Sequence, residues 1–215
     1  MPEEIERKYL NAASPNVRPL LVELGAKPFG GPHFESNILY DLPDGSLRAQ
    51  SHLLRLRTRQ WKDKTDARLT FKAEPKMLML GGTPVKRREE LELGVDDAKT
   101  MHAVLLRLGY RETARYEKVR ESWHLADSHG AEVHVDMDRL PFMHCVEIEA
   151  PLESFQEMEE ALHLAGCPVS AASYHTLYCE FLAGKGLPAA ASFVFDGKAR
   201  AGICAELGIT LQAFF

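Results

Sequence analysis

Nowhere in this chain is there an uncharged apolar run of about 18 residues, the length a membrane-crossing helix requires. The opening MPEEIERKYL has neither a basic segment nor an apolar stretch after it, so no secretory leader is expected. Cysteine is sparse: Cys145, Cys167, Cys179 and Cys204 are far apart and form no C-x-x-C pair. That spacing excludes a disulfide scaffold and reads as reduced thiols in a cytoplasmic protein. Strong basicity is absent too. With 26 basic and 31 acidic residues the formal charge is −5, which argues against a general affinity for nucleic acid or for an anionic membrane. No G-x-x-x-x-G-K-[ST] loop, G-x-G-x-x-G turn, H-E-x-x-H pair or G-x-S-x-G elbow occurs, which removes the common nucleotide, zinc-protease and hydrolase signatures. The nine histidines are scattered. Of these, His134 alone shares the parity of Asp136 in its segment.

What the sequence does have is alternation. From residue 3 to about 150, eight segments repeat with period 2, as strands with two unlike faces do. They are EEIERKYL, HFESNILYDL, LLRLRTRQ, ARLTFKAE, KRREELEL, RYEKVRESWHL, AEVHVDMDRL and HCVEIEA. LPDGSL, MLGGTP and DSHG supply reversals between them, so antiparallel pairing is expected. Three stretches show helical spacing: 14–25, with Ser14 as cap and Gly25 as stop; 96–110, ending at Gly109; and 151–167, opened by Pro151 and closed by Gly166. The alanine-rich tail from about Lys185 carries a short helix near 198–207 and reads as a packing appendage. The expected organisation is one domain over 1–184, with 185–215 packed upon it.

Charge and apolarity separate by parity in seven of these strands. Glu4, Glu6 and Lys8 oppose Ile5 and Tyr9; Arg55 and Arg57 oppose Leu54 and Leu56; Asp136 and Asp138 oppose Val135 and Met137; Glu147 and Glu149 oppose Val146 and Ile148. A one-sided sheet with its charges in water would produce this pattern. So would a sheet closed into a barrel, with its apolar parity outward under the helices and its charged parity lining a lumen. The signs are sorted, however: LRLR, TFK and KVR are basic, whereas VDMD and EIE are acidic. Buried charges must be neutralised, and a polyanion on the basic strands with a hard divalent cation at the carboxylates would do so. In that arrangement Glu4 and Glu6 hold metal and Lys8 holds phosphate.

E-x-E-x-K at 4–8, followed in order by LLRLR, LTFK, REELEL, YEKVRESW, VDMDRLP and VEIE, resembles the CYTH superfamily. These are the triphosphate tunnel metalloenzymes, which include class IV adenylyl cyclases, thiamine triphosphatases and inorganic triphosphatases. The resemblance covers about residues 3–184. It implies an α+β fold built on an eight-stranded antiparallel closed barrel with helices outside. It also implies a small triphosphate substrate and Mg²⁺ or Mn²⁺ as cofactor. By that likeness Glu4, Glu6, Asp136, Glu147 and Glu149 are metal-site carboxylates, and Lys8, Arg55, Arg57, Lys72, Lys118 and Arg120 contact phosphate. Arg88, Glu90 and Glu92 match a tunnel-lining R-x-E-x-E strand, Arg88 as a further phosphate contact and the carboxylates as holders of a second metal or of water. The catalytic candidates are therefore Glu4, Glu6, Glu90 and Glu92. Tyr174, in SYHTLY, matches a segment that lines or plugs one tunnel mouth. The implied activity is metal-dependent triphosphate hydrolysis; cyclisation of ATP, or binding without turnover, are the alternatives. Pairing of two barrels through the outer helices or the tail is also open.

Overall fold

The period-2 segments form strands in the computed structural model, which describes residues 3–12 and 14–211. In chain order the strands are β1 (Glu3–Leu10), β2 (Lys27–Pro28), β3 (His33–Asp41), β4 (Leu53–Gln60), β5 (Thr65–Lys72) and β6 (Lys76–Leu80). They continue with β7 (Thr83–Val95), β8 (Arg111–Ala126), β9 (Glu132–Arg139), β10 (His144–Glu149) and β11 (Val169–Ser170). The helices are α1 (Ser14–Glu23), α2 (Ser46–Ala49), α3 (Ala98–Arg107), α4 (Phe155–Ala161), α5 (Tyr174–Gly184) and α6 (Gly197–Leu207). Among the described residues no helix is long and apolar enough to cross a membrane.

The sheet runs β1-β10-β9-β8-β3-β4-β5-β7, and β7 pairs again with β1. Every pairing around this ring is antiparallel, giving a closed eight-stranded barrel with no free edge in the ring. Closure is set by β1, whose Glu6 lies opposite Glu149 on one side and Lys86 on the other. The short strands β2, β6 and β11 attach to β8, β7 and β1. Between β6 and β7 the chain reverses through Gly81 and Gly82, both at positive φ (58° and 81°), a turn that favours glycine at both positions.

The apolar parity faces outward and is covered by helices. Tyr9, Val135, Val146 and Ile148 pack with Val17 and Leu21 of α1 and with Phe155 and Met158 of α4. Ile38, Leu54 and Leu56 lie under Leu105 of α3. Phe34 and Val119 are covered by Phe195 and by Ile203 and Leu207 of α6, so the chain beyond Lys185 is part of the barrel's apolar jacket. Complete burial of one such side chain contributes about 1.5–3 kcal/mol. Three buried charged residues also stand on this outward parity, each met by a helix. Arg7, almost fully buried, pairs with Glu159 of α4; Glu121 accepts from Arg18 of α1 at 3.1 and 2.5 Å; Glu117 accepts from Arg200 of α6 at 2.6 Å. Each pairing also fixes where its helix docks.

Two helical expectations change. The stretch 151–167 is a 3₁₀ turn at Leu152–Ser154 and then only the seven residues of α4. His163 adopts a left-handed φ of 54°, and Leu164 N–H donates back to Glu159 O at 2.8 Å, which ends the helix early. Helix α5, unforeseen, packs Tyr174 and Tyr178 with Leu140, Phe142, Cys145 and Phe193 at one end of the barrel. The proposed cap at Ser14 falls on a side chain outside the described ones.

Candidate functional site: a charged tunnel

The inward parity encloses a cavity of about 530 Å³ that runs through the barrel. Strand order sorts its charges. β1, β10 and β9 are consecutive and bring Glu4, Glu6, Glu147, Glu149 and Asp136 onto one wall. β4 stands four strands from β10 in the ring, so Arg55, Arg57 and Arg59 face that acidic wall across the lumen. Lys72 of β5 and Lys86, Arg88, Glu90 and Glu92 of β7 complete the lining on one flank; Lys118 and Arg120 of β8 complete it on the other. All fourteen charged residues expected at the site from the sequence therefore line this one cavity, along with Lys86, Arg59 and Glu35, which were not expected there. Lys185 and Lys198 are not among the lining residues; Lys185 lies over the Phe181 ring.

Part of this lining is internally neutralised. Lys8 Nζ donates to Glu147 at 2.5 Å and to Glu6 at 3.0 Å. Arg120 holds Asp138 through two bonds of 2.7 and 2.5 Å, reaches Glu147 at 2.8 Å and also contacts Asp136. Lys118 bridges Asp138 (3.1 Å) and the fully buried Glu35 (3.5 Å). Burial alone would raise the carboxyl pKa values of Glu35 and Glu147. The cations prevail and hold both well below the usual range, Lys118 chiefly at Glu35, and Lys8 then Arg120 at Glu147. Lys86 contacts Glu6, Lys72 contacts Glu90 and lies 3.5 Å from Glu4, and Arg57 lies 3.3 Å from Glu35.

The remainder is not neutralised. Arg55 donates to Tyr116 Oη (3.1 Å) and Thr70 Oγ1 (3.4 Å), and Arg88 donates to the carbonyls of Ala73, Ser51 (2.8 Å) and Lys72 (3.2 Å). Among the described residues neither makes an ion pair. Burial and the neighbouring Arg55 lower the Arg88 pKa to about 10. The Nε atoms of Arg55 and Arg57 and the amide of Asn37 are buried without a hydrogen-bond partner among the described residues. On the acidic wall, burial and then Glu4, Asp136 and Glu147 push the Glu149 carboxyl up to about 8. Asp136 is also raised, by burial first, despite Arg120. Excess positive charge on one wall and crowded carboxylates on the other together describe a site for an anion and a cation.

The two ends of the tunnel differ. At one, the Tyr174 hydroxyl donates to Asp138 at 2.5 Å, and its ring stands 5.3 Å from Lys8 Nζ. Beside it Phe193 stacks on Tyr116 at 5.1 Å and pairs through its backbone with Arg115 and Glu117. At the other end the first residues of β1, β3 and β9 meet the last of β8 and β10, placing Glu4, His33, His134, His124 and Glu149 near one another in the lining. Trp61 packs on His33 (4.4 Å) with Arg59 and Lys64 over its face. Trp123 belongs to the outer wall, as its parity indicates.

Glu35 and Lys86 were legible in principle. His33, Glu35 and Asn37 form a polar i, i+2, i+4 set in HFESN, and Lys86 extends the parity of Arg88 and Glu90 by one step.

No curated protein matches this chain. Among solved structures, the PH1819 protein from Pyrococcus horikoshii OT3 is 21% identical, with a TM-score of 0.62 over 83% of this chain and 99% of that one. An adenylate cyclase candidate from Vibrio parahaemolyticus superposes with a TM-score of 0.65 at 18% identity, over 84% and 97% of the two chains. A Hippeastrum adenylyl cyclase candidate, described as having a dominant triphosphatase activity, superposes at 0.57 and 21% identity, over 86% and 98%. At these identities the likeness is one of fold. The model of the CYTH domain matches residues 2–165, and the chain belongs to that family.

Proposed function

We propose that this protein is a divalent-metal-dependent triphosphatase, which splits a terminal phosphoanhydride of a small triphosphate lying along the tunnel. The observation that carries the reading is that the buried Arg55, across the lumen from the acidic wall, and the half-buried Arg88, beside Glu4 on the adjacent strand, make no ion pair among the described residues, while the carboxylates are crowded enough to hold a proton on Glu149. A polyphosphate satisfies the first and a divalent cation the second.

Arg55, Arg57 and Arg88 present directional donors to phosphoryl oxygens, while Lys8, Lys72, Lys118 and Arg120 add charge along the chain of phosphates. The donors on the opposite wall, Glu4, Asp136 and Glu149 with Glu6 and Glu147 beside them, are all hard carboxylate oxygens and fit Mg²⁺ or Mn²⁺. When bound, such an ion neutralises charge on the transferring phosphoryl group and supports ionisation of the attacking water. Carboxylates of this wall, and Glu90 and Glu92 on β7, orient that water and accept its proton. The water oxygen bonds to the terminal phosphorus, the bridging P–O bond breaks, and the shortened phosphate chain leaves with the electron pair. Arginine and lysine groups fixed in the barrel stabilise this charge without reorganising, and catalysis is mainly positioning and electrostatics.

A cyclase would also have to grip adenine and ribose. Tyr116 and Phe193, the stacked aromatic pair in the lining, face each other, which favours hydrolysis over cyclisation. The dominant triphosphatase activity described for the Hippeastrum relative points the same way. Incubation with tripolyphosphate, ATP and thiamine triphosphate, with Mg²⁺, Mn²⁺ or chelator, and product identification by phosphorus NMR, tests the proposal. Metal-dependent orthophosphate release is expected. Cyclic AMP with diphosphate would replace the reading by the cyclase, and binding without product would leave a polyphosphate-binding module.

A further inference from the structure

At the mouth away from Tyr174, β8 and β9 place His124 directly opposite His134, with Glu132 two residues before His134 on the same face. Two ligands at i and i+2 of one strand, and a third on its neighbour, converge on one point because strand side chains alternate and cross-strand Cβ atoms are close. Their donor atoms all lie within 4.8 Å of one another. Glu132 Oε1 is 3.3 Å from His134 Nε2 and 3.7 Å from His124 Nδ1. A tetrahedral ion with bonds of about 2.0–2.1 Å needs ligand atoms about 3.3–3.4 Å apart. The first pair already meets that spacing and the second is a few tenths of an ångström wide.

We propose that His124, Glu132 and His134 form a second metal site, for Zn²⁺ or a similar borderline transition ion. Its ligand chemistry differs from that of the all-carboxylate wall, whose Glu149 stands opposite His134 on β10. Two imidazoles and one carboxylate discriminate against Mg²⁺, which prefers oxygen and near-octahedral geometry, and they leave a fourth position for water or a phosphate oxygen. The ring of His124 is braced for the task. Phe29 meets it edge-on at 4.7 Å, and β2 pairs Lys27 with it through the backbone. Two neutral imidazoles and one carboxylate carry a single negative charge, so a bound divalent ion would give the three-ligand cluster a net charge of +1. This inference does not depend on the reaction proposed above, because it concerns different donors and a different ion.

The test uses the full chain freed of metal and titrated with Co²⁺ in the presence of excess Mg²⁺, read by the visible d–d absorption of a tetrahedral ion. The intact protein should develop that absorption, and Zn²⁺ should abolish it. His124→Ala and His134→Ala should each weaken Co²⁺ binding by at least about tenfold, a lower bound taken from the loss of merely supporting groups. Glu206→Gln, exposed on α6 outside the barrel, should leave the spectrum unchanged. Glu132→Gln, at a position 72% exposed that no fold contact requires, provides the same readout should either histidine variant fail to fold. Displacement of Co²⁺ by Mg²⁺, or an unaltered spectrum in the double histidine variant or in Glu132→Gln, would overturn the proposal.

Discussion

Replacing Arg55 by glutamine separates binding from folding, because among the described residues no carboxylate forms an ion pair with Arg55, and Glu35 and Glu92 act on it only at longer range. Its hydrogen bonds go to two hydroxyls, those of Tyr116 and Thr70, and its Nε is buried and unmet. Arg88, its neighbour in the lining, already has its pKa lowered to about 10 by burial and by that neighbour. Relief of the repulsion with Arg88 is offset by loss of the attraction of Glu35 and Glu92 to Arg55, so the thermal midpoint of the metal-free variant should stay close to that of the parent. Triphosphate affinity should fall instead. A hydrogen bond to a charged group is worth about 1.5–3 kcal/mol, which corresponds to a Kd weaker by about 10- to 150-fold. Titration calorimetry with tripolyphosphate, in parallel with thermal melts, measures both quantities. Arg59 is the internal control: Asp66 already holds its guanidinium at 2.7 and 2.5 Å, so Arg59→Gln should weaken binding far less. Equal affinity in Arg55→Gln and the parent, or a loss explained by unfolding, would refute the assignment of Arg55 to the anion site.

Other expectations follow from the same geometry. In metal-free protein Glu149 retains its proton up to about pH 8, well above the pKa of an unfolded glutamate. The folded state then binds more protons than the unfolded one, and this group's contribution to stability is lost as pH rises through about 8. The thermal midpoint should therefore fall more steeply over pH 5–8 in the parent than in Glu149→Gln, and identical slopes would remove Glu149 as the cause. Glu149→Gln should also abolish metal-dependent turnover, so a variant with full activity would take that carboxylate out of the site. Cys145 is almost fully buried, and burial pushes its thiol pKa up to about 12; mass spectrometry after maleimide treatment should find it unmodified in the native chain and labelled only in denaturant. Ile203→Ala in α6 should destabilise the barrel by about 2–4 kcal/mol in denaturant melts while leaving tripolyphosphate affinity unchanged, since Ile203 packs on the outer wall.

The barrel was legible because nearly every strand sorts its charges by parity, and LRLR, VDMD and EIE carry that sorting without help from neighbours. Which charges neutralise which was not legible. The Lys8–Glu147 contact joins positions 139 apart, and Arg55 stands uncompensated only because β4 comes to lie opposite β10 in the closed ring. Glu35 went unnoticed because HFESNILYDL mixes polar and apolar residues on its inward face, Leu39 included. Helix α5 gave little periodic signal: it packs between the barrel end and the Phe193 segment, so apolar residues occupy more than one side of it. Arg7, Glu117 and Glu121 break the outward apolar parity, and their reason is visible only once Glu159, Arg200 and Arg18 have been brought to them by helices.

The central claim is that one barrel lumen holds a triphosphate on its basic wall and a divalent cation on its acidic wall. A crystal structure with tripolyphosphate and Mn²⁺, recorded at a wavelength where manganese scatters anomalously, tests it most directly. Phosphate density is expected against Arg55, Arg57 and Arg88, and an anomalous peak among Glu4, Asp136 and Glu149. Phosphate outside the barrel, or manganese away from those carboxylates, would contradict it.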